Sequence, residues 1–300
     1  MRIGLSGGGA SVTRIIEQAK EAERDGFASL WYPSAMGGDP LVAMALAGRE
    51  TTAIELGTAV LQTYPCHPLL MANRAAATAF AMGRPGFTLG IGPSHVPVIE
   101  GMYGLASDRP GQHTEEYTTI LVTALRDGQV DFAGELLSAR GRRAVALDAP
   151  VPVLLGALAP RMLRVAGAVA DGTVTWMANA RAVGDHIVPK LRAAASGREP
   201  RVVVGLPVVV HDDVAEARAE AAAQFAMYGG LPNYRRVLDI GGAAGPADAV
   251  IVGDEESVTR QVRALFDAGA TDFWAAPFPV GDRSASRART RALLASLAAT

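Results

Sequence analysis

The sequence predicts an α/β fold in which eight parallel strands, each followed by helical sequence, form a barrel. Short β-branched runs alternate with longer alanine-rich segments along all 300 residues, as is typical of βα units around a parallel sheet. Eight such units suit the length of a (β/α)8 TIM barrel. Neither a Pro/Ser-rich linker nor a second core divides the chain, so we expect a single domain over residues 1–300.

The element boundaries follow from short apolar runs and from helix-start signals. Proline follows Asp39, His67 and Ala159, which predicts three helix starts, because a first helical position does not need the missing N–H. The acidic run 254–256 matches the positive end of the dipole of a fourth helix. The predicted strands are residues 2–6, 28–32, 54–60, 86–92, 151–156, 172–177, 201–210 and 271–277.

Two segments are longer than a minimal βα unit requires. The pattern of residues 127–150 predicts a hairpin insertion before the fifth strand. Residues 211–253 have a mostly helical pattern and lie between the seventh and eighth strands. In a barrel, long loops after the strands gather at the C-terminal mouth, where ligands bind.

The composition indicates a soluble protein and excludes several classes of function. A hydrophobic content of 49% is enough for a large core, and a net charge of −2 without a basic stripe argues against a nucleic-acid or anionic-membrane partner. No apolar segment has the length of a membrane span or the form of a signal peptide. Cys66 is the single cysteine, which suits a reducing compartment. We therefore expect a cytoplasmic protein with a small-molecule partner.

Three strand ends carry candidate functional residues. His95 follows the fourth strand and can donate or accept a proton near neutral pH, or serve as a simple hydrogen-bonding residue. Small residues in the segment 154–167 precede a proline-started helix, so the free backbone N–H groups at its start form either an anion site or an ordinary βα turn. Trp176 and Met177 end the sixth strand and either flank a flat ring or pack the top of the barrel.

Other chemistries lack their motifs. The five histidines have no metal-ligand spacing and no second cysteine is available for zinc, so no metal site is predicted. No P-loop or G-x-S-x-G elbow is present. Gly7-Gly8-Gly9 lacks the third glycine of a dinucleotide fingerprint, since Val12 stands in its place, and a flexible turn is favoured.

Four segments in order, residues 27–60, 67–92, 152–172 and 247–273, resemble the bacterial luciferase-like family of flavin and deazaflavin oxidoreductases. The resemblance covers nearly the whole chain and is greatest to the branch that depends on coenzyme F420. It implies F420 as the cofactor, with FMN as the alternative, and a homodimer as the assembly.

The resemblance also implies a set of site residues. A non-proline cis peptide near Ala59-Val60 would bulge against one face of the deazaflavin, and the turn that follows, with Thr63, would help to line the pocket. The backbone of the fifth βα turn would hold the cofactor phosphate. The implied cofactor-binding residues are Ala59, Val60, Gln62, Pro93, Ser94, Gly156, Ala157, Leu158, Ala159, Trp176 and Met177.

Departures from the family pattern guide the functional hypothesis. Ser34 and Ala35 stand where several F420-dependent dehydrogenases carry an acidic residue, and His95 replaces a carboxylate of the sugar-phosphate branch. The first hypothesis is an F420H2-dependent reductase that transfers hydride to an activated C=C or C=N bond. Its proton would come from His95, or else from Tyr64 or Ser34, with His113 a weaker candidate. The alternatives are an FMN-dependent monooxygenase and a cofactor-binding protein without turnover.

Overall fold

The structure is a computed structural model that describes residues 1–9, 11–33 and 38–299. Ser34 and Ala35 lie outside the described residues. The strands are β1 (Ile3–Ser6), β2 (Ser29–Tyr32), β3 (Glu55–Thr58), β4 (Leu61–Gln62), β5 (Phe87–Gly92), β6 (Gln129–Ala133), β7 (Ser138–Arg142), β8 (Val153–Gly156), β9 (Gly172–Trp176), β10 (Arg201–Val210), β11 (Ile251–Gly253) and β12 (Asp272–Pro277).

The predicted parallel barrel is confirmed. Its strands follow one another in the order β1, β2, β3, β5, β8, β9, β10 and β12, and β12 pairs again with β1 to close the barrel. The predicted third strand, 54–60, is divided: β3 ends at Thr58, and β4 resumes at Leu61 and pairs with β5. The two residues between them form the cis peptide Ala59-Val60.

Helices surround the barrel, and four of them begin where proline or the acidic run predicted. These are α2, α3, α6 and α13. A π-helical turn, Val183–Ile187, joins α7 to α8. The helices are α1 (Val12–Arg24), α2 (Pro40–Arg49), α3 (Pro68–Met82), α4 (Val96–Ile99), α5 (Pro110–Asp127), α6 (Pro160–Ala168), α7 (Ala180–Ala182), α8 (Val188–Ala194), α9 (Val214–Gln224), α10 (Ala226–Gly229), α11 (Pro232–Ile240), α12 (Pro246–Ala249), α13 (Glu255–Asp267) and α14 (Arg283–Ala298).

Both predicted insertions are confirmed. The first is an antiparallel hairpin of β6 and β7. Its turn is held by the buried Glu116 carboxylate, which accepts hydrogen bonds from three consecutive backbone N–H groups, the closest being that of Leu137 at 2.8 Å. The second contains α9 to α12 and ends in β11, a short strand that pairs with the end of β10. No helix in the described ranges is long and apolar enough to cross a membrane.

An ion-pair network closes the N-terminal end of the barrel. Arg201, at the start of β10, contacts Glu55 at 2.6 Å and Asp272 at 2.6 Å. Arg2 binds the same two carboxylates at 2.6 and 2.9 Å. Burial opposes ionisation of Asp272, but hydrogen bonds from Arg201, Thr271 and Arg2 outweigh it and hold its pKa below the usual value. This stabilisation is therefore present at neutral pH and is lost as the pH falls through the lowered pKa.

Two tryptophans fill the interior of the barrel beneath its mouth. Trp31 and Trp274 belong to one buried apolar cluster with Leu154. Strand glycines make room for them, because a Cβ at Gly57 would collide with the Trp31 ring and one at Gly205 would collide with the Trp274 ring. The close contact with Gly205 fixes the position of the Trp274 ring, which lines the bottom of the cleft described next.

Candidate functional site

A cleft of about 710 Å³ opens at the C-terminal mouth of the barrel. Its walls come from the ends of β5, β8, β9 and β12, from the Ala59-Val60 link, and from α11 of the second insertion. The described lining residues are Ala59, Val60, Gly92, Pro93, Ser94, His95, Gly156, Ala157, Leu158, Ala159, Met162, Val174, Thr175, Trp176, Asn233, Tyr234 and Trp274.

One wall is the backbone between β3 and β4. The Ala59-Val60 peptide bond is cis, where the resemblance places one, and both residues line the cleft. Glycine is needed opposite Val60, since a Cβ at Gly92 would lie 2.9 Å from its Cγ2 atom. Gly156 is less restricted, because a Cβ there would lie 3.4 Å from the nearest Val60 atom. This side of the cleft is formed by Ala59 and Val60 with glycines beside them, and it is apolar.

The N-terminus of α6 lies at a second side of the cleft. Its N-cap residue, Ala159, has φ −80° and ψ 150° and provides no side-chain cap, whereas Asp39, Asp213, Asp254 and Asp282 cap α2, α9, α13 and α14. The backbone N–H groups of the first turn of α6 therefore lack a side-chain acceptor at Ala159. A helix N-terminus in this state favours an anion.

Two neighbouring side chains form hydrogen bonds with carbonyl groups of the segment before α6. His186 Nε2 lies 2.8 Å from the Leu158 carbonyl oxygen. The buried Thr173 hydroxyl donates to the Leu155 carbonyl oxygen at 2.8 Å. These contacts engage carbonyl groups of the segment and fix its course beside the cleft.

The remaining side of the cleft is aromatic. Trp176 stacks on Trp274 with ring centroids 5.0 Å apart. Tyr228 packs edge-on against both Trp176, at 5.9 Å, and Tyr234, at 4.9 Å. Tyr234 in turn lies 5.5 Å from the His95 ring. We refer to these five rings as the aromatic wall.

Several lining residues present polar side chains without a hydrogen-bond partner among the described residues. They include His95, Ser94 and Thr175, and the Thr175 hydroxyl is fully buried. Burial lowers the pKa of His95, so its imidazole is neutral at pH 7. None of the described lining residues is Asp, Glu, Lys or Arg. The cleft is thus a neutral chamber with a few unpaired polar groups and the uncapped helix N-termini of α6 and α11.

Three of the predicted site residues lie outside the described lining. Gln62 is held in the ladder between β4 and β5. The Tyr64 ring stacks on His113 at 3.9 Å, and its hydroxyl donates to the Asp108 carbonyl oxygen at 3.4 Å. Met177 is fully buried in a second apolar cluster with Phe225 and so packs the barrel top. The third catalytic candidate, Ser34, falls outside the described residues.

Thr63 and His113 also lie away from the lining. The His113 Nε2 atom is 3.1 Å from the Thr63 hydroxyl, in a buried contact that uses both side chains. In the described ranges, no group of three or more His, Cys, Asp or Glu residues has an arrangement that could hold a metal ion.

Sequence reasoning missed six lining residues with side chains: Met162, Val174, Thr175, Asn233, Tyr234 and Trp274. Thr175 lies next to Trp176 at the end of β9 and could have been considered with it, whereas Trp274 is the third of the six residues of β12. Asn233 and Tyr234 come from the second insertion, at the start of α11. Only the expectation that long loops gather at the mouth pointed to that segment.

Comparison with known proteins identifies the family. The family model described as luciferase-like monooxygenase matches residues 2–300. The chain belongs to this family. It is accordingly an oxidoreductase of the luciferase-like class, which confirms the family resemblance found in the sequence.

Relatives of this luciferase-like protein include one that is named for F420 and one that is named as a reductase. A putative coenzyme F420-dependent oxidoreductase of Mycobacterium tuberculosis is 28% identical over 306 residues, covering 85% of this chain and 88% of the relative. A 5,10-methylenetetrahydromethanopterin reductase of Methanolobus tindarius is 28% identical over 219 residues, covering 71% of this chain and 66% of the relative.

Solved structures of both cofactor classes share the luciferase-like barrel. The F420-dependent tetrahydromethanopterin reductase of Methanopyrus kandleri has a TM-score of 0.74 at 21% identity, covering 98% of this chain and 97% of that one. The oxygenating constituent of a diketocamphane monooxygenase from Pseudomonas putida, in complex with FMN, has a TM-score of 0.75 at 16% identity, with coverage of 98% and 97%. At these identities the likeness describes the fold.

Proposed function

We propose that this protein is an F420H2-dependent reductase that acts on an activated C=C or C=N bond of a small organic molecule. The observation that carries the proposal is the pairing, in one cleft, of a neutral chamber with an uncapped helix N-terminus. A cofactor with a flat ring and a phosphate needs these two features together. The relative named as F420-dependent supports F420 over FMN as that cofactor.

The residues of the cleft fit such a cofactor. Ala59, Val60 and Pro93 would border the ring, and the buried Thr175 hydroxyl, which has no described partner, would gain one from a polar ring atom. The backbone of residues 156–159 would bind the phosphate. When bound, reduced F420 supplies a hydride from its C5 atom.

His95 is the proposed source of the proton. It lines the cleft, its ring has no described hydrogen-bond partner, and it is the one predicted proton donor that the described cleft contains. Tyr64 is engaged with His113 and Asp108 instead. The Tyr234 ring lies 5.5 Å from the His95 ring. None of the described lining residues is a carboxylate that could compete for the proton.

The reaction type is tested by an anaerobic assay. The purified protein is mixed with F420H2 and benzylideneacetone, a conjugated ketone, and oxidation of the deazaflavin is followed together with formation of the saturated ketone. A reductase forms both products in equal amounts without oxygen. Oxygen consumption with reduced FMN, in the absence of F420H2 oxidation, would instead identify a monooxygenase and overturn the proposal.

The phosphate site is tested by the substitution Ala159→Asp. Aspartate at the N-cap should stabilise α6 by about 1 kcal/mol, yet its charge should weaken F420 binding by about 1–4 kcal/mol through repulsion of the phosphate. Calorimetric titration and thermal unfolding measure the two effects on one sample. The control, Ala159→Ser, provides a cap without a charge and should bind F420 more tightly than the aspartate variant. Equal F420 affinity of wild type and Ala159→Asp would place the phosphate elsewhere.

We also propose that the protein is a homodimer through the outer surfaces of α2 and α3. These helices pack on each other and are apolar on both their inner and outer faces. Their outward side chains Val42, Leu46, Leu70 and Phe80 are 43–68% exposed. A helix that is apolar on all sides is normally buried. A second copy of the chain would bury the outer surfaces of α2 and α3.

The dimer surface is tested by Leu46→Glu combined with Phe80→Glu. Charge on both helices should abolish association, so sedimentation should report a monomer where the wild type reports a dimer. Val214→Glu is the matched control, because Val214 is an exposed apolar residue on α9. A wild-type monomer, or a double variant that remains dimeric, would contradict this assembly.

A further inference from the structure

The aromatic wall includes a residue whose polar group has no assigned task. Tyr234 lines the cleft from the start of α11, and its ring is held by Tyr228 at 4.9 Å and by His95 at 5.5 Å. Tyr228 is itself braced by Trp176. The ring of Tyr234 is therefore fixed on two sides, which pre-organises its hydroxyl.

The Tyr234 hydroxyl is available to a ligand. No described residue forms a hydrogen bond with it, although the side chain is more than half buried. Burial raises the pKa of Tyr234, so the hydroxyl keeps its proton and remains a donor throughout the physiological pH range. A protonated, half-buried hydroxyl on a residue that lines a neutral cleft gains most from an acceptor atom on the bound molecule.

The charge of the cleft restricts the molecule further. Since the described lining has no Asp, Glu, Lys or Arg, a charged group beside the aromatic wall would lose its hydration without gaining a counter-ion. The described cleft includes the uncapped helix N-termini of α6 and α11; the first is assigned to the cofactor phosphate, and the second carries only a partial positive charge. Stacked rings such as Trp176 and Trp274 favour a flat partner.

We infer that Tyr234 contacts the substrate, donating a hydrogen bond to the oxygen or nitrogen atom conjugated with the reduced bond, and that the site takes flat, uncharged, conjugated molecules. This inference rests on the proposed function and specifies its substrate class. With a conjugated ketone, bound reduced F420 would supply the hydride that adds to the β carbon as the C=C bond breaks. Negative charge then develops on the ketone oxygen, where the Tyr234 hydroxyl stabilises it. His95 delivers one proton to the α carbon and regains it from water, so the ketone gains two electrons and two hydrogens.

The test compares three ligands of one shape. Benzylideneacetone is flat, conjugated and neutral; benzylacetone is its saturated form, and cinnamate carries a carboxylate in place of the ketone. Dissociation constants are measured by ligand-observed NMR with the cofactor-free protein and with oxidised F420 bound. The variants are Tyr234→Phe, which removes only the hydroxyl, and Tyr103→Phe as a control at an exposed tyrosine outside the described lining.

We expect benzylideneacetone to bind more tightly than benzylacetone, and at least about tenfold more tightly than cinnamate. Tyr234→Phe should weaken its binding roughly fivefold, the equivalent of one hydrogen bond. Because the hydrogen bond strengthens as charge develops, kcat should fall by a larger factor than binding. Tyr103→Phe should match the wild type in every measurement.

Equal binding of benzylideneacetone to wild type and Tyr234→Phe would overturn the role of Tyr234. Tight binding of cinnamate, or no binding of benzylideneacetone to the wild type, would overturn the substrate class. Failure of the proposed function is distinguishable from these results. It would appear as failure to bind F420, while the effect of Tyr234→Phe persisted in the cofactor-free protein.

Discussion

Replacing His95 with glutamine should reduce kcat for ketone reduction by roughly 10²–10⁴-fold, the usual contribution of a positioned general acid. Glutamine keeps a polar side chain of similar length but cannot transfer a proton. Since the described cleft holds no acid other than His95 and the weakly acidic Tyr234, no neighbour can replace it. The dissociation constant of F420 should stay close to that of the wild type, because His95 is not assigned to the phosphate.

The role of His95 as a general acid also predicts how kcat changes with pH. Burial lowers the pKa of His95 from its usual 6.5, and a general acid works only in its protonated form. The wild-type kcat should therefore rise as the pH falls through a pKa below 6.5, and His95→Gln should lack that rise. His211→Gln is the control, at a histidine that contacts Asp213 outside the lining. Wild-type turnover by His95→Gln would remove His95 from the mechanism.

Replacing Arg201 with methionine should cause the largest loss of stability. Arg201 bridges Glu55 and Asp272 at the floor of the barrel, where Asp272 is 2% exposed. Removing the guanidinium leaves two carboxylates close together, with Arg2 as their remaining ion-pair partner among the described residues. Breaking a buried pair in this way costs about 3–5 kcal/mol, and thermal unfolding should show a Tm lower by roughly 10 °C.

Two further variants show how much of the lost stability comes from uncompensated charge in the ion-pair network at the N-terminal end of the barrel. Adding Glu55→Gln and Asp272→Asn to Arg201→Met removes the uncompensated charges and should recover part of the lost stability. Arg140→Met breaks an ion pair on the exposed hairpin, where Arg140 is 84% exposed, and should leave the Tm unchanged. If Arg201→Met unfolds at the wild-type temperature, the network does not stabilise the barrel.

Much of the fold was predictable because it depends on local signals. The strands of the barrel are short apolar runs, and proline marked the first residues of α2, α3 and α6. The division of the third strand between Thr58 and Leu61 could not be predicted from periodicity. Residues 54–60 contain no proline or other strand-breaking signal at Ala59 and Val60. Only the resemblance to a known family placed a cis peptide there.

The candidate site was predictable where it lies at strand ends, as at His95 and residues 156–159. Tyr64 and Met177 follow strands too, but their side chains turn into contacts with His113 and with the second apolar cluster. Which way a side chain turns after a strand depends on packing that spacing does not reveal. Tyr234 comes from an insertion far along the chain, and only the closed barrel brings it to His95. The roles of all these residues, the single domain and the cytoplasmic location remain predictions.

The central claim, that this cleft binds F420, is tested most directly by titrating the cofactor-free protein with F420 and with FMN side by side. We expect clear preference for F420, and weaker F420 binding by Ala159→Asp but not by His95→Gln. Preference for FMN would contradict the claim and would direct attention to oxygen chemistry. Binding of neither would contradict it too, and would mean that the barrel has kept its shape without the cofactor.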